Sequence, residues 1–321
     1  MNHPNLSQII QSHELLKDQV LKTSTLEDES IAKELVASPS HIFLKLEHLQ
    51  KTGSFKIRGA LNVMKSLSKD QLSYGVVTFS GGNHAIAVSY AAQLLGTSAK
   101  VVMPSSTNTA KIDLCKNFGA KVVLAKTRAE SPTKAMEIKK DENRFLVPPF
   151  EHPKTVEGTA TLGYEFLKQI PALDVIFVPI GGGGLAAGVS CAVKQMKPTC
   201  QVIGVQPITA DAMSRSFQTG KAELNEHVDT VAESLCPPQV GQYTFEVCKK
   251  FVDEIQIVEE PQIKKAMRLL FHRHNFIVEG AGAVALAGAM NSKGGALRGK
   301  NVGILVSGSN IDLLSFENQL K

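Results

Sequence analysis

The sequence predicts an α/β protein built on two open, twisted, mostly parallel sheets flanked by helices. Three observations carry that prediction. Nine short runs rich in Val and Ile fall at 41–46, 75–80, 99–104, 120–125, 144–148, 175–180, 201–206, 254–258 and 301–307. Stretches of helical period separate most of them, at 83–95, 109–118, 132–140, 155–169, 185–196 and 261–275. Continuously apolar strands joined by helices belong to parallel sheets covered on both faces. Finally, nine runs exceed one compact sheet of ordinary size, so they divide between two.

Each element follows from its residues. The run 41–46, HIFLKL, leads through a Gly53-Ser54 turn to Lys56 and a helix. The run 75–80 ends in the small residues Ser80-Gly81-Gly82, and helical period begins at Asn83. Two further strand–helix units follow at 99–118 and 120–140. LVPPFEHP, at 146–153, is too rich in proline for either period and marks a crossing between lobes. Beyond it, the run 175–180 opens directly into four glycines and an Ala/Gly-rich helix. Residues 211–243 mix a Gln-Thr-Gly-Lys turn with Cys-Pro-Pro, which predicts a long irregular surface excursion. The last strand, 301–307, ends in Ser-Gly-Ser.

Composition narrows the function classes. With 321 residues, 43% of them hydrophobic and 20% charged, the chain can bury a large core. The net charge of +5 is small, and Lys and Arg are interleaved with Asp and Glu, so no nucleic-acid partner is expected. The five cysteines, Cys115, Cys191, Cys200, Cys236 and Cys248, form no CxxC pair and no zinc-spaced cluster. They read as reduced thiols, and no metal site is expected. The N-terminus lacks a basic region followed by an apolar stretch, and no run reaches the roughly 18 apolar residues of a membrane span. No membrane partner and a cytoplasmic location are therefore expected.

Four motifs carry chemistry. The first is Lys51-Thr52-Gly53-Ser54-Phe55-Lys56-Ile57-Arg58-Gly59-Ala60. Gly allows a tight turn, Ser can cap the helix and Phe can wall a pocket. A lysine desolvated there loses its proton readily and can form a Schiff base with an aldehyde. The second, Ser80-Gly81-Gly82-Asn83-His84-Ala85, exposes backbone N–H groups at a helix start, which suits a carboxylate or phosphate. The third, Gly181-Gly182-Gly183-Gly184-Leu185, lets consecutive N–H groups wrap an anion. Its spacing is wrong for a dinucleotide fingerprint, and no P-loop pattern exists. The fourth, Val306-Ser307-Gly308-Ser309-Asn310-Ile311-Asp312, puts a hydroxyl at the carboxyl end of a parallel strand, where α/β sheets place ligands. Three of the four follow strands at their carboxyl ends and can converge on one crevice.

Together these motifs resemble the serine/threonine dehydratase and serine racemase family, fold-type II (tryptophan synthase β-like) pyridoxal-phosphate enzymes. The resemblance spans roughly residues 10 to 315. It implies a large cofactor-binding domain of residues 1–74 and 150–321 and a small substrate-gating domain of 75–149. It implies that Lys56 is the Schiff-base lysine and α-proton base, with Phe55 beside the cofactor ring. Asn83 would meet the phenolic oxygen, Gly181–Gly184 and Leu185 the phosphate, and Ser307 the ring nitrogen. Glu279, in the matching run Glu279-Gly280-Ala281-Gly282-Ala283, would lie near the cofactor. Ser80, Gly81, Asn83 and His84 would hold the substrate, a small amino acid. A homodimer is likewise implied by resemblance alone. The reaction implied is ammonia release from L-threonine or L-serine, with racemisation or the dehydration of another β-hydroxy amino acid as alternatives. A non-catalytic sensor is the rival of another class.

The chain departs from that pattern at several places. Racemases of the family carry a second Ser where this chain has Gly81, and threonine dehydratases carry Ala; the lost hydroxyl argues against racemisation. Some members bind a divalent cation through a Glu and an Asp whose places are taken here by Gln206 and Ala212, so a hard-cation site is not expected. Gly158-Thr159-Ala160-Thr161 and Ala232-Glu233-Ser234 replace family turns expected near the pocket. The chain ends soon after Ser307, so a C-terminal regulatory domain is not expected either.

Overall fold

A computed structural model describes residues 2–35, 41–226, 228–292 and 295–320. Ten strands are present among them: β1 Thr25–Glu27, β2 His41–Leu46, β3 Val76–Phe79, β4 Ala99–Pro104, β5 Lys121–Ala125, β6 Phe145–Leu146, β7 Val175–Pro179, β8 Gln201–Pro207, β9 Glu254–Val258 and β10 Asn301–Val306. They form a six-stranded sheet in the order β1-β2-β10-β7-β8-β9 and a four-stranded sheet in the order β5-β4-β3-β6. Every pairing is parallel except that of β1 with β2. The two mostly parallel sheets predicted from the apolar runs are present.

Central strands are apolar because helices cover both faces. All five residues of β7, VIFVP, are buried. On one side of the large sheet, helices Glu260–His274 and Gly280–Met290 pack over Phe177, Val205 and Ile304. On the other, helices Pro153–Gln169, Gly184–Met196 and Gln242–Phe251 pack over Ile176, Val178 and Val202. A separate core joins helix Lys56–Lys65 and helix Asn83–Leu94 to the four-stranded sheet through Ile57, Leu61, Ile86 and Val101. Residues 147–152 carry the chain from β6 to helix Pro153–Gln169, away from the small sheet.

The helix that begins at Lys56 is anchored from below by buried charge. Arg58 donates to Glu47 at 2.8 and 2.9 Å and to Glu165 at 3.1 Å, while Lys45 donates to Glu165 at 2.5 Å. All four side chains are essentially inaccessible. Two cations face two carboxylates, so the cluster is balanced; removing one member would leave a buried charge uncompensated, at about 3–5 kcal/mol.

Two expectations are corrected. The region 211–243 is not irregular throughout, for Ala212–Thr219 is a helix that stops at Gly220 with φ +77°. The antiparallel β1 was not expected; it is three residues long and gains its order by pairing with β2. All five cysteines are buried, and burial pushes the thiols of Cys115, Cys191 and Cys200 up to about 11 and that of Cys236 to about 12. Among the described residues, no helix is long and apolar enough to cross a membrane.

Candidate active site

A cavity of about 710 Å³ opens where the carboxyl ends of strands from both sheets meet. It is lined by Lys56, Ser80–His84, Gly182, Asn310 and Glu279, so residues from all four motifs come together there with the Glu279 run. Phe55, Ser307 and the other loop glycines are not part of this lining.

Lys56 occupies the first turn of its helix, held there by the preceding chain. The backbone N–H of Phe55 donates to Ser307 O at 3.2 Å, and Ser54 bridges Gly308, so the end of β10 clamps the residues before the lysine. Lys56 Nζ donates to Pro149 O at 3.0 Å and lies 5.2 Å from the Phe55 ring centroid. Burial lowers its pKa from 10.5 to about 8, against the opposing pull of the Glu279 carboxylate. It is thus a cavity-lining amine with one weak neutral partner.

Asn83 opens its helix directly after β3 and is the hub of a polar network. Its Nδ2 donates to Glu279 Oε1 at 2.5 Å, and its Oδ1 accepts from Asn310 Nδ2 at 2.7 Å. Ser234 Oγ donates to Glu279 Oε2 at 3.2 Å. Burial raises the pKa of Glu279, opposed by Lys111 and by the Asn83 and Ser234 hydrogen bonds. Asn310 and Ser234 were not among the expected site residues, although both lie inside motifs the sequence shows.

His84 is turned to the protein. Its Nε2 lies 3.0 Å from Val147 O, and since a carbonyl only accepts, Nε2 carries the proton. Burial, then the nearby Lys56 charge, lowers its pKa to about 3, so the ring is neutral. Ser80 Oγ accepts from Gly82 N at 3.2 Å and shapes the loop. A Cβ added at Gly81 would lie 3.0 Å from Thr107 Oγ1 and 3.4 Å from Pro104.

The glycine run joins β7 to the 13-residue helix Gly184–Met196. Gly183 has φ +93°, and a Cβ there would lie 2.6 Å from Met213 Cε and 3.0 Å from Thr244. At Gly182 an added Cβ would lie 2.6 Å from the Phe150 ring. Thr244 Oγ1 donates to Gly182 O at 2.6 Å and Thr159 Oγ1 to Gly184 O at 2.7 Å, which fix the run from either side. Thr159 therefore supports the glycine helix and does not line the cavity, whereas Glu233 and Ser234 do. Among the described residues, the N–H groups of Gly181, Gly182 and Gly183 donate to no protein acceptor.

Comparison with known proteins shows the family. The family described as pyridoxal-phosphate dependent enzyme matches residues 16–308. The chain belongs to that family. It is 46% identical to a phenylserine dehydratase of Ralstonia pickettii, over 86% of this chain and 85% of the relative. It is 40% identical to an L-threonine ammonia-lyase of Thermotoga maritima, over 96% and 76% respectively. Among solved structures, maize serine racemase superposes with a TM-score of 0.93 at 31% identity, covering 99% of this chain and 97% of that one. The residues present fit the family's cofactor. Its phosphate needs donors, and the N–H groups at the glycine helix offer them beside a positive helix end. Its aldehyde needs an amine, and Lys56 supplies one of lowered pKa.

Proposed function

We propose that the chain is a pyridoxal-phosphate dependent ammonia-lyase that converts L-threonine or L-serine to 2-oxobutanoate or pyruvate and ammonia. When bound, the cofactor supplies a carbonyl for amines and an electron sink for the α-carbon. Lys56 Nζ would hold the cofactor and, once displaced by the substrate amine, remove the α-proton. The N–H groups of Gly181–Gly184 would hold the phosphate, Ser307 the ring nitrogen, and Asn83 with Glu279 and Asn310 the phenolic edge. The Ser80–His84 loop, at the N-terminus of a 12-residue helix, would hold the substrate carboxylate.

The observation that carries this reading is the buried amine of Lys56 at the cavity. Lys56 faces the cavity with lowered pKa, while His84 is committed to Val147 and Gly81 has no side chain to return a proton. One base suffices for α,β-elimination, whereas racemisation requires proton transfer on both faces of the α-carbon. A second reading concerns the β-substituent. The 46% identical relative is named for phenylserine, and Phe79, Pro149, Phe150, Pro237 and Pro238 give the cavity an apolar wall. Ammonia and oxo-acid release from L-threonine, L-serine and phenylserine is the deciding measurement. Turnover of threonine or serine above phenylserine is expected. Turnover of phenylserine alone would select the second reading, and D-serine without pyruvate would overturn both.

The lowered pKa of Lys56 has its own signature. Only the unprotonated amine attacks an aldehyde, so covalent loading of cofactor-free protein should accelerate as pH rises, levelling above about 8. At pH 7 the amine fraction should exceed that of an ordinary lysine by roughly 300-fold. Loading followed by absorbance against pH checks this; a midpoint near 10.5 would show that burial does not tune Lys56.

A further inference from the structure

Gln206 is buried near the carboxyl end of β8, and its side-chain amide is used completely. Nε2 donates to Ala210 O at 2.9 Å and points to Ile180 O at 3.4 Å; Oε1 accepts from Ser214 N at 2.8 Å. These partners are not incidental. Ile180 is the residue before the glycine run. Ala210 closes the turn after β8, and Ser214 lies in the first turn of helix Ala212–Thr219. Met213 of that same turn is the side chain packed against Gly183. One amide therefore ties both ends of the backbone that backs the glycine loop.

Its chemistry is specific. Two carbonyl oxygens converge on one point and require positive polarity there, while a helix-start N–H nearby requires an acceptor. A primary amide meets both demands; a carboxylate would set acceptors against both carbonyls, and a hydrocarbon would leave all three groups unpaired. A divalent cation held by a carboxylate at position 206 would satisfy the same carbonyls, but the residues present do not fit one. The amide N–H group already meets both carbonyls, position 212 is alanine, and Asp211 is paired with Arg215 at 2.8 Å.

We propose that Gln206 is a positioning residue for the glycine loop, its amide bracing Ile180–Gly184 against helix Ala212–Thr219 in the place of a divalent cation. The proposal rests on the reading of the glycine loop as the phosphate cradle. Cofactor affinity and thermal stability of the wild-type protein are then indifferent to EDTA or Mg²⁺. The test compares wild type, Gln206→Glu and Gln206→Met as full-length proteins. It measures melting temperature and affinity for pyridoxal phosphate and for pyridoxal, each in EDTA and in Mg²⁺.

In EDTA, Gln206→Glu should bind pyridoxal phosphate about tenfold or more weakly, the order expected when buried polar groups lose their partners. Mg²⁺ should restore much of that affinity, and pyridoxal, which lacks the phosphate, should bind as to wild type. Gln206→Met should lose affinity for the phosphorylated form with no response to Mg²⁺, and it carries the test if the glutamate variant does not fold. Wild-type affinity that falls in EDTA and returns with Mg²⁺ would overturn the proposal. So would unchanged affinity for pyridoxal phosphate in Gln206→Met while Gly183→Ala loses it. If neither variant loses affinity, the cradle reading itself fails.

Discussion

Lys56→Ala is expected to abolish measurable turnover, with a loss of roughly 10³-fold or more, because in the proposed function one residue is both covalent anchor and proton acceptor. The variant should still bind pyridoxal phosphate, since the glycine loop and the Asn83 network are untouched, but reduction with borohydride should leave no cofactor on the chain. Stability should change little. Alanine is the best helix former at this first-turn position, and the lost hydrogen bond to Pro149 O costs only about 1 kcal/mol. Mass spectrometry after borohydride treatment, a melting curve and an oxo-acid assay together check all three statements. An adduct that persists in the variant would move the covalent role to another lysine.

The second large effect is expected at Gly183. Gly183→Ala adds a side chain at φ +93° and within 2.6 Å of Met213 Cε. The backbone strain alone costs of order 1–3 kcal/mol, and the crowding pushes the loop away from the position in which its N–H groups converge. Affinity for pyridoxal phosphate should fall about tenfold or more, since each 1.4 kcal/mol is a factor of ten. Gly220→Ala is the control. Gly220 also has positive φ, +77°, but nothing lies within 4 Å of the added atom. Its melting temperature should drop while cofactor affinity stays at the wild-type value. Equal affinity losses in both variants would mean that strain, and not the cradle, explains the effect.

Much of this architecture is readable from local pattern, and the reasons differ by element. The strands of both sheets announce themselves because burial on two faces demands unbroken apolar runs; β7 and β10 are the clearest cases. Helix ends are less legible. The helix expected at 132–140 spans Glu130–Asp141, and its N-cap, Ala129, offers no side-chain signal. Lys56, Asn83, the four glycines and Ser307 stand out because each sits in small, polar residues just after a strand or turn. What local pattern does not disclose is pairing. Asn83 and Glu279 are 196 residues apart, and their contact depends on how two sheets are set against each other. Arg128, a cavity-lining residue that donates to Cys236 O at 2.7 Å, lies in no motif at all. His84 was legible as a polar residue in the right loop, but not as one turned toward Val147.

Cys236 borders the same cavity as Lys56, and its sulfur is sealed, with a pKa near 12. A thiolate would be a second nucleophile toward an electrophile admitted there. Because that thiol stays protonated at neutral pH, it would not compete with Lys56 for the aldehyde of the proposed cofactor. Chemoselectivity is thus secured twice, by readying one nucleophile and by muting its neighbour.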